Sequence, residues 1–110
     1  MMNEQHMGEL AVYIENLPDG AFDQSEGGGN KDSGCGCICH YAGILSGNLV
    51  YNEDGNAENY EDASRDWMGI TDEQWYGLFH KEWWPTHLQK ENPTKHDAAA
   101  RIRHMIKTGE

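Results

Sequence analysis

Thiols and an imidazole crowd into one short stretch, Cys35-Gly36-Cys37-Ile38-Cys39-His40. Thiolate and imidazole are natural zinc ligands, so this run is the first place to look for a metal or small-ligand site. Its spacing suits zinc poorly. Structural zinc sites pair cysteines two to four residues apart and draw a second pair from elsewhere, whereas the chain has no other Cys. His80 or His87 completes a site only if the fold brings one of them close. If residues 35 to 39 are helical, Cys35 and Cys39 instead share a face as small buried packing residues. A thiol-dependent enzyme is a further reading, because a nucleophile and its base can be distant in sequence. No Gly-x-Ser-x-Gly or His-Glu-x-x-His motif selects a base among the six His. The odd number of Cys gives no disulfide framework. The expectation is reduced thiols with no metal and no cofactor.

A second group of residues acts through charge. The 8 Lys and Arg stand against 19 Asp and Glu, a net charge of -11, which argues against direct binding to nucleic acid or to an anionic membrane. Glu58, Glu61, Asp62 and Asp66, related by three, four and five positions, would be neighbours on one broad helix face. Such a face either keeps the protein soluble or steers a basic protein partner by standing in for phosphates. Trp83 and Trp84, followed by Pro85, offer a rigid aromatic anchor of the kind found at binding hot spots. Their alternative role is closure of the core, although adjacent helical positions cannot both face it. The partner-binding candidates are therefore Glu58, Glu61, Asp62, Asp66, Trp83 and Trp84. The glycine run of Ser25 to Gly36 lacks the Gly-Lys-Ser/Thr of a phosphate cradle; residues 26–36 read as a flexible loop.

Positioning these groups falls to short amphipathic elements. Met7, Leu10, Ile14 and Leu17 mark a first helix, stopped by Leu17-Pro18-Asp19-Gly20. Ile38, Tyr41, Ala42 and Leu45 argue for a short buried helix, with a strand as the alternative. Gly47 to Gly55 reads as a brief extended piece around Leu49, Val50 and Tyr51. Tyr60, Ala63, Trp67 and Met68 predict an acidic helix over 57–68, with Gly69 as its C-cap. Thr71 and Gln74 have capping-box spacing, and Trp75, Leu78 and Phe79 give the next helix an apolar face, ended by Trp83-Trp84-Pro85. Residues up to Asn92 then read as a connecting loop. Thr94 and Asp97 open the last helix, whose stripe is Ala98, Ile102, Met105 and Ile106. The chain of 110 residues reads as a single all-α domain of about five short helices. No apolar run of 18 residues is present, and Met1 to Leu10 holds two acids and no Lys or Arg. That predicts neither a membrane span nor a secretory signal, and a cytoplasmic location.

Asn16-Leu17-Pro18 with Phe22-Asp23, Cys35-Gly36, Gly69-Ile70-Thr71 with Gln74 and Leu78-Phe79, and Ala98-Ala99-Ala100-Arg101-Ile102 follow in that order. In this the chain resembles a group of small bacterial and phage helical proteins. Their shared features are a Leu-Pro-x-x-x-Phe-Asp segment, a Cys-Gly segment, a Gly-Leu-Thr-x-x-Gln-x-x-x-Leu-Phe helix and an Ala-Ala-x-Arg-Ile terminus. Ile70 replaces the usual Leu, and Cys37 and Cys39 depart from the usual Cys-Gly-Thr-x-x-Cys spacing. The resemblance implies a helical fold and no activity. In composition the chain is also similar to small acidic phage inhibitors such as anti-CRISPR proteins and DNA mimics. The leading expectation is thus a non-enzymatic inhibitor of a basic, nucleic-acid-handling protein such as a host defence component. The alternatives are a zinc or small-ligand module at Cys35 to His40 and a thiol-dependent enzyme.

Overall fold

Most of the helices start where a side chain can accept the unpaired N–H groups of a first turn, or where the preceding backbone turns extended. The computed structural model describes residues 2–23 and 37–110. The expected loop at 26–36, with Cys35, lies outside the described residues. Asn3 accepts the His6 N–H at 3.0 Å and opens α1 (Glu4–Glu15). The stripe of Met7, Leu10, Ala11 and Ile14 on α1 is buried. Cys37 is the extended N-cap of α2 (Ile38–Ser46), which settles that segment as helix. The acidic helix is α3 (Tyr60–Met68), closed by Gly69 at φ +66°, a left-handed conformation that glycine adopts without strain. The predicted capping box is present, and the last helix opens on a second one. Thr71 and Gln74 exchange hydrogen bonds of 3.1 and 2.9 Å at the start of α4 (Asp72–Phe79). Thr94 and Asp97 do so at 3.2 and 2.8 Å at the start of α5 (Lys95–Thr108).

The result is a small all-α fold with five α-helices among the described residues. Beside them lie two 3-10 turns and an isolated antiparallel bridge between Tyr51 and Ala57. The main packing pairs are α1 with α5 and α2 with α3. Ala98, Ala99, Ile102 and Met105 of α5 are buried. At the rim of this interface the Arg103 guanidinium grips Glu15 through two hydrogen bonds of 2.9 and 2.7 Å. Across the other side, the start of α1 meets the end of α3. The Asn3 N–H donates to the Met68 carbonyl at 2.8 Å, and the His6 ring stacks on Trp67 at 4.4 Å between centroids. No helix among the described residues is long and apolar enough to cross a membrane.

Three local expectations change. The acidic helix starts at Tyr60 rather than at residue 57, because the preceding backbone is already committed to other partners. Asn59 accepts the Val50 N–H at 2.7 Å and donates to the Asn48 carbonyl at 2.8 Å, while the Glu58 N–H donates to the Val50 carbonyl at 2.9 Å. Next, α4 ends at Phe79, where His80 turns extended, and a 3-10 turn (Lys81–Trp83) follows. Finally, the connection up to Asn92 carries its own 3-10 turn (Thr86–Leu88), which places Leu88 in the core.

Candidate functional site

The cysteine segment is built inward. Cys37, Cys39 and His40 are all buried, and the His40 ring meets Tyr41 edge-on at 5.4 Å. Burial pushes the Cys39 thiol well above the usual thiol range; a hydrogen bond with Cys37 raises it further and one with Ser64 opposes the rise. Ser64, itself fully buried, accepts the Trp75 Nε1–H at 2.8 Å and donates to the Tyr60 carbonyl. Cys39 therefore contacts a polar knot that fixes α2, α3 and α4 together. A thiol held protonated at neutral pH is a poor nucleophile and a poor metal ligand. His80 stacks on Tyr76 at 5.2 Å and His87 meets His104 at 5.9 Å. Among the described residues, no group of three or more His, Cys, Asp or Glu is placed to hold a metal ion.

The acidic residues lie outward, but not as one uniform helix face. Glu61, Asp62 and Asp66 are exposed on α3. Glu58 is exposed too, yet it precedes the helix and belongs to the 48–59 segment, a correction to its expected place. Arg65 sits among the carboxylates, 2.7 Å from Asp62, 2.8 Å from Asp72 and 3.9 Å from Glu61. Its guanidinium pKa moves up: partial desolvation works against the cation, and Asp72, Asp62, Glu61 and Asp66 outweigh it. The Arg65–Asp72 pair ties the acidic helix to the first turn of α4, so the charged surface continues across two helices. Four carboxylates, Glu61, Asp62, Asp66 and Asp72, act on one guanidinium there.

The tryptophan pair divides. Trp83 is 61% exposed, whereas Trp84 is 2% exposed and donates its Nε1–H to the Leu78 carbonyl at 3.1 Å. Trp84 is thus a core residue, and as an anchor for a partner it is corrected. The break in the helix at His80 is the reason: a 3-10 turn sends the two adjacent side chains in opposite senses. In place of Trp84, the structure brings Tyr76 and His80 to the exposed ring. Tyr76 is 44% exposed, and its centroid lies 6.3 Å from that of Trp83. Beside these rings Glu73, Trp83 and Arg101 line one hollow of about 350 Å³. Sequence spacing contained the signal for Tyr76: it follows the core residue Trp75 by one position, about 100° round the helix. No family model, curated protein or solved structure matches this chain.

Proposed function

We propose that this protein is a non-enzymatic, acidic interaction protein that binds a basic, nucleic-acid-handling protein and inhibits it by occupying its phosphate-binding surface. The observation that supports this reading is the continuity of exposed carboxylates on α3 and α4 with the exposed rings of Tyr76 and Trp83. Carboxylates attract a basic surface over roughly a Debye length of 8 Å at physiological salt and raise the association rate. Rings then supply contact area and a face for Lys or Arg of the partner, an interaction of about 0.5–2 kcal/mol. Glu61, Asp62, Asp66, Asp72 and Glu73 do the steering, and Trp83 is the anchor. Trp84, Cys37 and Cys39 act in the core.

The test is capture from bacterial lysate on the immobilised chain, with identification of the retained proteins and competition by duplex DNA. A basic nucleic-acid-handling protein should be retained at low salt, released at high salt and displaced by DNA. Neutralising Glu61→Gln, Asp62→Asn and Asp66→Asn together should flatten the salt dependence, and Trp83→Ala should abolish retention at moderate salt. Retention that ignores both variants and DNA would remove the basis of the proposal.

A further inference from the structure

Arg101 is the chemically least settled group in the fold. It is 1% exposed and occupies the buried stripe of α5 between Ala98 and Ile102. Its Nη2 donates to the Gly77 carbonyl at 3.2 Å and to the Glu110 backbone oxygen at 2.7 Å. Nε and Nη1 are buried and have no acceptor among the described residues. Among them no Asp or Glu side chain forms an ion pair with this guanidinium; its acidic contact is the α-carboxyl oxygen of Glu110, the last residue of the sequence. Burial pulls its pKa down from the usual range, yet an arginine stays protonated at neutral pH. A buried cation that leaves the donors of Nε and Nη1 unused is costly. Helix α4 makes room for it: a Cβ on Gly77 would sit 3.2 Å from Nη2.

This guanidinium lines the hollow of about 350 Å³, within the size range of small-molecule sites, whose other walls include Gln74, Gly77, Trp83, Met105 and Glu110. We propose that the hollow binds a small organic carboxylate with a flat, apolar body. The carboxylate displaces the Glu110 α-carboxyl oxygen from Nη2 and, with that end of the chain moved aside, meets the Nη1–Nη2 edge of Arg101 in the two-point geometry that planar guanidinium favours. The body of the ligand lies against the exposed Trp83 indole and the Met105 side chain. A single negative charge is favoured over phosphate because Glu73 and Glu110 also line the hollow and the chain carries a net charge of -11. The inference stands independently of the protein-partner reading, since it concerns the isolated chain.

Nitrogen-15 NMR of the Arg101 Nε–H and the Trp83 Nε1–H, titrated with benzoate, indole-3-carboxylate, acetate, benzamide and inorganic phosphate, tests it. Benzoate and indole-3-carboxylate should move both signals saturably in the millimolar range. Acetate, without a ring to stack, should bind about three- to ten-fold more weakly than benzoate. Benzamide and phosphate should leave the Arg101 signal in place. Trp83→Ala, at an exposed position that the fold does not need, should weaken benzoate by about three- to ten-fold, and Glu73→Gln should strengthen it. The proposal is overturned if neither aromatic carboxylate moves the Arg101 signal saturably, or if benzamide or phosphate binds as tightly as benzoate.

Discussion

Trp83 and Trp84 are neighbours of identical chemistry in opposite environments, so replacing each by Ala separates folding from binding. The Trp84 indole is buried, and its Nε1–H serves a carbonyl in the last turn of α4, where helical C=O groups lack partners within the helix. An indole of about 200 Å² at about 25 cal/mol/Å² corresponds to about 5 kcal/mol. That agrees with the 3–5 kcal/mol range, roughly, for Trp→Ala in cores. Against the roughly 5–15 kcal/mol total stability of a domain, Trp84→Ala should leave a marginal or unfolded chain. Trp84→Phe keeps most of the ring and loses the donor, so it should cost about 1–2 kcal/mol. Trp83→Ala should stay within about 0.5 kcal/mol of the parent. Urea unfolding followed by far-ultraviolet circular dichroism measures all three. A loss below about 1 kcal/mol for Trp84→Ala, or above about 2 kcal/mol for Trp83→Ala, would refute the division of the pair into core and surface.

Further outcomes follow from other parts of the fold. With Cys35→Ser in place, iodoacetamide at neutral pH should label neither Cys37 nor Cys39 until urea unfolds the chain, as mass spectrometry would show; rapid native labelling contradicts the buried, protonated thiol. Thr71→Ala should cost about 1 kcal/mol, the worth of one cap, while leaving the apolar face of α4 intact; differential scanning calorimetry reads this directly. Phe79 is only partly buried, stacked on Trp75 at 4.8 Å, so Phe79→Ala should cost less than the roughly 3–5 kcal/mol of a fully buried ring. Asp97 gives an acid dependence: burial raises its pKa, but the Thr94 backbone and hydroxyl donors and the Lys90 ammonium overcome this and hold it below the usual carboxylate range. A carboxyl lowered in the folded state adds stability above its unfolded value of about 3.9, lost as pH falls through the folded value. Urea midpoints should therefore drop from about pH 4 downward, and Asp97→Asn should remove part of that drop.

Much of the helical layout could be read from local chemistry. Thr71 with Gln74 and Thr94 with Asp97 mark helix starts because a side chain must meet N–H groups that the first turn leaves unpaired. Gly69 marks an end because it takes positive φ. These are short-range rules, and they held. The start of the acidic helix did not follow from them, since what delays it is Asn59 binding Val50 and Asn48 across roughly ten residues of chain. Helix propensity at Ala57 and Glu58 is too weak to oppose such a loop. The separation of Trp83 from Trp84 was half legible: two adjacent helical positions cannot share a core, but which ring goes inside depends on the break at His80 and on a carbonyl of Leu78 that needs a donor.

Arg101 shows a different kind of legibility. Ala98, Arg101, Ile102 and Met105 lie at i, i+3, i+4 and i+7, so helical spacing alone places an arginine in the apolar stripe of α5. Composition hides this, because Arg101 counts as one more cation at the basic end of an acidic chain. Its surroundings come from other elements: Gly77 of α4 provides both the space and a carbonyl, and Glu110 provides the second acceptor. A stability role alone would be served by an apolar side chain of similar length, since replacing buried charge by packed hydrocarbon is often neutral or stabilising. Retaining a guanidinium with Nε and Nη1 unused beside an open hollow is better explained by an anion that the hollow receives. Arg101→Met separates the two accounts: equal or greater stability, together with loss of saturable benzoate binding, is the outcome expected for a ligand-binding arginine. If the variant unfolds, the Trp83→Ala and Glu73→Gln titrations decide the same question on a folded chain.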